Sequence, residues 1–167
     1  MLLYKSYKYF LKMNLALLIM LNIVIVMIIQ YIIQLIPNIN HLIVPDEIIK
    51  LRTSWILYFF LLVVFIPIVE TIIFQAGIIY LSKFILAKSN YNCFLLPVLI
   101  SSIFFGFQHT YSLIYFITSL IVGFILALNY VVVLRRKENA IFITFLIHAI
   151  LNLIAFSSEY ISSNLNI

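Results

Sequence analysis

Glu70, His109 and His148 are the ionisable side chains that fall within the long apolar runs of this chain. A carboxylate facing imidazoles can take a proton from water, which is general-base chemistry. Asn152 follows His148 by four residues and Phe105 precedes His109 by four. In a helix each such pair shares one face. Two schemes use this set. One Glu with two His matches a catalytic zinc site, or that of another divalent metal, with three protein ligands and a fourth position for water. The same trio also works without metal: Glu70 and His109 deprotonate a water, while His148 and the Asn152 amide donate to the oxyanion of a tetrahedral intermediate. Both schemes hydrolyse a carbonyl substrate, and a peptide bond is the natural candidate.

Each residue has a plain structural reading beside the functional one. A histidine on an apolar face is commonly a hydrogen-bonded packing residue. An asparagine can bond across helices, contributing about 0.6–2 kcal/mol. A lone Glu can be a neutral acid bonded to a carbonyl. Spread over three apolar runs, the set together favours a site, because intramembrane ionisable groups face the bundle interior and cluster along functional paths. Other designs are excluded. The single Asp, Asp46, lies in a loop, so a paired-aspartate mechanism is absent. There is no HExxH. Cys93 is the single cysteine, which excludes an intrachain disulfide and a cysteine-based metal site. Ser101 and Ser102 have no GxSx context and read as helix-packing serines. His41 sits in a loop beside Pro37 and Pro45.

The elements that position these residues follow from composition. The 167-residue chain is 66% hydrophobic and 9% charged. Average chains are nearer half apolar and a quarter charged, so this is a polytopic membrane protein. The net charge of +5 does not point to nucleic acid, because the basic residues sit in short clusters between apolar runs. Five runs are long enough to cross a bilayer, near Leu15–Ile36, Trp55–Leu81, Cys93–His109, Tyr111–Leu134 and Ala140–Phe156. They are continuous rather than alternating, which argues for helices and against a barrel. The expected fold is an all-α polytopic membrane helix bundle of about five transmembrane helices. Residues 1–54 hold a basic segment, the first helix and an outer loop; 55–156 hold a four-helix core; 157–167 form a short polar tail.

Lys5, Lys8 and Lys12 precede the first run. That run is too long for a signal peptide and ends at Ile36-Pro37 without a small-x-small site, so an uncleaved helix is expected. With the N-terminus cytoplasmic, those lysines fall inside with Lys83, Lys88, Arg135, Arg136 and Lys137. Lys50 and Arg52 fall outside, and five crossings put the C-terminus, after Glu159, outside the cell membrane. Trp55 and Tyr58 sit at a boundary, as aromatic belt residues do. Pro67 interrupts the second run and removes the bond its N–H would make to Val63, which predicts a kink or tilt. Pro97 fits a first-turn proline, and Gly77, Gly106 and Gly123 permit close helix packing.

With these residues in view, the sequence resembles the CPBP family, the CAAX-protease and bacteriocin-processing (Abi) intramembrane proteases. That family carries EExxxR, FxxxH and HxxxN on successive membrane helices. Here "ETIIFQ" at 70–75 stands in the first position, "FGFQH" at 105–109 matches the second and "HAILN" at 148–152 the third. The resemblance covers about residues 55–156. It implies an α-helical membrane hydrolase, metalloprotease-like, in which Glu70 and His109 activate water and His148 and Asn152 complete the site. It also implies a peptide or membrane-protein substrate, and for some bacterial members bacteriocin self-immunity or peptide processing. The chain departs from the pattern at Thr71, in place of the second Glu, and Gln75, in place of the Arg. Losing one member of such a pair would strand a charge in the membrane, whereas losing both does not. Thr71 and Gln75, at i and i+4, are both neutral and can still hydrogen-bond. A chain that kept the fold but not the activity would act by binding, as an immunity or scaffold protein.

Overall fold

The computed structural model describes residues 9–35, 54–86 and 94–165. His41, Asp46 and Cys93, the basic residues Lys5, Lys8, Lys50, Arg52 and Lys88, and prolines 37 and 45 lie outside them. Among the described residues every regular element is helical. Helix α1 spans Leu15–Gln34 and starts at Asn14, whose side chain accepts from the Ala16 N–H. Helix α2 runs through residues 55–86. Helix α3 spans Leu95–Phe107, α4 Leu113–Arg135 and α5 Ala140–Leu165.

Among the described residues four helices are long and apolar enough to cross a membrane; α3 is a shorter apolar helix. Thirteen residues reach about 20 Å at 1.5 Å each, against about 30 Å of hydrocarbon. The reason lies in the polar turn that ends the run. His109 N–H closes on Gly106 O at 2.9 Å, and Ser112 then caps α4 by accepting from the Tyr115 N–H at 3.1 Å. His109 therefore sits just past the end of α3, within the span expected for Cys93–His109 but not on its helix. At the other end of the chain, α5 continues helical beyond Phe156 to Leu165.

Successive helices run antiparallel, and their ends sort to two sides. On one side, Arg136 donates to Phe10 O and Met13 O at 3.3 and 2.6 Å and pairs with Glu138 at 2.9 Å. The Arg135 guanidinium lies over the Phe94 ring there. The α4–α5 connection is tight: Lys137 takes a positive φ of 61°, and Glu138 N–H reaches back to Val133 O. This closes the helix carbonyls as a left-handed C-terminal residue does. On the other side, Trp55 and Tyr58 meet Phe156 and Tyr160 edge-on or tilted, and Tyr58 Oη donates to Glu159 at 2.8 Å. Tyr58 is buried between helices rather than set on the rim of the bundle.

The core is apolar and centred on α4, with Leu126, Ala127, Val131 and Val133 fully buried. Large apolar side chains such as Ile56, Leu81 and Phe104 face outward, as lipid-facing positions do. One polar chain crosses this core: Asn22 Nδ2 lies 3.4 Å from Asn129 Oδ1, and Asn129 Nδ2 donates to Thr144 Oγ1 at 3.1 Å. It ties α1, α4 and α5 together.

Pro67 produces a wider effect than a kink. The α2 path changes to π-helical register over Phe60–Phe65, returns to α over Ile66–Glu70, and is π-helical again over Thr71–Gly77. Ile66 N–H bonds Leu61 O and Ile78 N–H bonds Ile73 O, both five residues back. Glu70 stands at the junction of the α turn and the second π segment.

Candidate active site

The α turn before the second π segment, the end of α3 and the interior of α5 place the predicted residues. Glu70 extends from α2 between the two histidines. His109 Nε2 lies 3.8 Å from Glu70 Oε1, and His148 Nε2 lies 3.5 Å from Glu70 Oε2. The Glu70 and His109 side chains keep 17% and 16% of their surface exposed, whereas His148 keeps 6%. A small molecule such as water therefore meets the Glu70–His109 edge before it meets His148.

His109 Nδ1 lies 2.9 Å from Phe105 O. A carbonyl only accepts, so Nδ1 carries the hydrogen. In the neutral ring this leaves the Nε2 lone pair directed at the carboxylate side. The bond explains the four-residue interval differently from the sequence reading: the helix has ended, and Phe105 supplies its backbone oxygen as well as its ring.

Phe105 is the packing centre of the site. Its ring lies 4.9 Å from the His109 ring, 5.8 Å from the His148 ring and 5.9 Å from the Phe74 ring. Gly123 on α4 makes this possible, because a Cβ there would lie 2.8 Å from Phe105 Cδ1. Tyr115, in the first turn of α4, packs its ring 5.4 Å from His109. Tyr115 was not legible in the sequence, since no spacing links it to the motifs; only the α3–α4 turn brings it back.

Asn152 makes no hydrogen bond to Glu70. Its Nδ2 donates to Leu62 O at 2.8 Å, joining α5 to the first π segment. Thr71 and Gln75 are fully buried, at 0% exposure. Neither the Thr71 hydroxyl nor either Gln75 amide atom has a hydrogen-bond partner among the described residues.

A zinc ion needs its donors about 2 Å from one shared point. Here the two histidines face different carboxylate oxygens. Among the described residues no group of three His, Cys, Asp or Glu side chains is arranged to hold a metal ion.

The carboxylate of α2 thus lies between one histidine just past the end of α3 and another on α5. Residues 52–154, well over half the chain, match the type II CAAX prenyl endopeptidase Rce1-like family. The chain belongs to this Rce1-like family. The match begins just before α2 and ends just after Asn152, so it covers the whole site and leaves α1 outside. No curated protein and no solved structure matches the chain. Membership makes this a multi-pass, membrane-embedded helical protein with a CAAX-type intramembrane endopeptidase-like fold.

Proposed function

We propose that this Rce1-like protein is an intramembrane endopeptidase in which Glu70 and His109 activate water. The observation that carries the reading is the Glu70 carboxylate set between His109 Nε2 and His148 Nε2 at 3.8 and 3.5 Å, with the Glu70–His109 edge accessible. A water at that edge gives its proton to the pair as its oxygen adds to the carbonyl carbon of a peptide bond. His148 stabilises the resulting oxyanion from the other side of the carboxylate. The C–N bond then breaks, and the proton moves from the Glu70–His109 pair to the departing amine. No metal takes part in this scheme.

The substrate is a peptide or the membrane segment of a protein. The family description suggests a chain ending in a prenylated CAAX sequence as the first probe. The basic side of the bundle, with Arg135 and Arg136, is assigned to the cytoplasm of a cell-membrane protein. The test is hydrolysis by the purified full chain of a quenched-fluorescence peptide ending in a prenylated CAAX sequence, with its unprenylated form as control. Turnover by the wild type and its loss in Glu70→Gln support the reading. Turnover that survives Glu70→Gln overturns it. A wild type that binds the peptide without cutting assigns the chain to a binding role, such as immunity or scaffolding.

A further inference from the structure

A helix that passes from π back to α register leaves one carbonyl without a backbone donor. In the π segment each N–H reaches five residues back, in the α segment four, and the carbonyl between the two patterns is skipped. In α2 this happens twice. Ile66 N–H goes to Leu61 O, so Leu62 O is passed over; the next residue, Pro67, has no N–H to offer. Ile78 N–H goes to Ile73 O, so Phe74 O is passed over. Each skipped carbonyl is taken by a side chain of another helix. Asn152 Nδ2 of α5 donates to Leu62 O at 2.8 Å, and Ser101 Oγ of α3 donates to Phe74 O at 2.8 Å.

The two donors stand on the helices that carry the two histidines. His148 lies four residues before Asn152 on α5, and Ser101 lies on α3, which ends at Phe107 and leads directly into His109. Glu70 falls between the two capped carbonyls, eight residues after Leu62 and four before Phe74. In lipid a bare carbonyl has no water to turn to, so each bond fixes both the register of α2 and its seat against a neighbour.

We infer that Asn152 and Ser101 are positioning residues that pin the two π segments of α2 to the histidine-bearing helices and thereby hold Glu70 between His109 and His148. The positioning role rests on the hydrolase reading; the two pins do not. Pro67 reinforces the first, because it has no N–H with which to extend the π register by one residue; an alanine there can donate to Leu62 O in that register and leave Asn152 without its task.

The experiment uses the purified full chain in lipid nanodiscs and reads both peptide turnover and the thermal unfolding midpoint. Asn152→Leu is expected to lower kcat by about 10²-fold with KM little changed, the scale of loss from a misplaced catalytic group. Adding Pro67→Ala should bring turnover back to that of Pro67→Ala alone. Ser101→Ala should lower kcat, whereas Ser102→Ala, which removes a bond to Leu120 O at 2.6 Å from another buried serine, should not. A double variant no faster than Asn152→Leu, or a Ser101→Ala no slower than Ser102→Ala, overturns the inference. If the wild type shows no turnover, the hydrolase reading fails and the midpoints decide the pins. Asn152→Leu must then lower the midpoint of the chain that keeps Pro67 and not that of the Pro67→Ala variant. Equal losses in both overturn the inference.

Discussion

His148 Nε2 lies 3.5 Å from Glu70 Oε2, while the other nitrogen of the same ring, Nδ1, is buried with no hydrogen-bond partner among the described residues. His148 thus directs its polar interaction at the carboxylate. Groups that act as one unit lose activity together rather than additively. Glu70→Gln is expected to lower turnover by about 10²–10⁴-fold, the range for losing a general base. His148→Ala should be comparably inactive, and the double variant no worse than the slower single one. Steady-state kinetics of the three variants checks this, and multiplying losses would separate the two roles.

The donor geometry makes a prediction about metals. Among the described residues no group of three His, Cys, Asp or Glu side chains is arranged to hold a metal ion. Turnover is expected to be unchanged after dialysis against a strong chelator, and elemental analysis should find less than one divalent ion per chain. One ion per chain, lost in His109→Ala, would contradict this and restore the three-ligand scheme.

Much of the fold was legible because lipid imposes it: an apolar run of sufficient length must satisfy its own backbone, and a helix does so. The membership of Glu70, His109 and His148 in one site was legible from their scarcity in the apolar runs. What the sequence hid is the register of α2. Pro67 signals a lost bond, but whether the chain kinks or widens into π register depends on donors arriving from α3 and α5. Beyond the bond Pro67 withholds from Val63 O, the change of register frees Leu62 O, which Asn152 caps. The end of α3 before His109 was equally hidden, since the Phe105–His109 interval also fits a continuous helix, while the Ser112 cap of α4 sets the break. The Asn129–Thr144 link left no periodic signal for the same reason: its partner is far away in sequence.

Thr71 and Gln75 offer a stability test. Both are fully buried, and their polar atoms lack partners among the described residues. An unsatisfied buried polar group costs about 1–3 kcal/mol, so Gln75→Leu is expected to leave the thermal midpoint unchanged or raise it. Charges behave oppositely. Thr71→Glu or Gln75→Arg alone should destabilise by about 3–5 kcal/mol, the cost of an uncompensated buried charge. Thr71→Glu with Gln75→Arg should recover most of that loss by forming a pair. Unfolding midpoints of the four variants measure it, and an unrescued double variant would show that this interface has repacked around neutral side chains.

Gly123 controls the site without touching Glu70. A methyl there would sit 2.8–3.0 Å from the Cδ1, Cβ and Cγ atoms of Phe105, closer than packed carbons allow. The Phe105 ring cannot simply swing away, because Phe74, His109 and His148 surround it. Gly123→Ala is therefore expected to destabilise by about 1–3 kcal/mol, the usual scale of overpacking. It should also lower turnover, as Phe105 pushes on both histidines. Phe105→Leu in the same chain removes ring atoms from the clash and should restore stability. It should restore little turnover, because Leu cannot reproduce the ring that His109 meets tilted and His148 meets edge-on. Thermal midpoint and kcat, measured on the two single variants and the double, separate these effects. If Gly123→Ala alone leaves both unchanged, Phe105 does not hold the histidines in place.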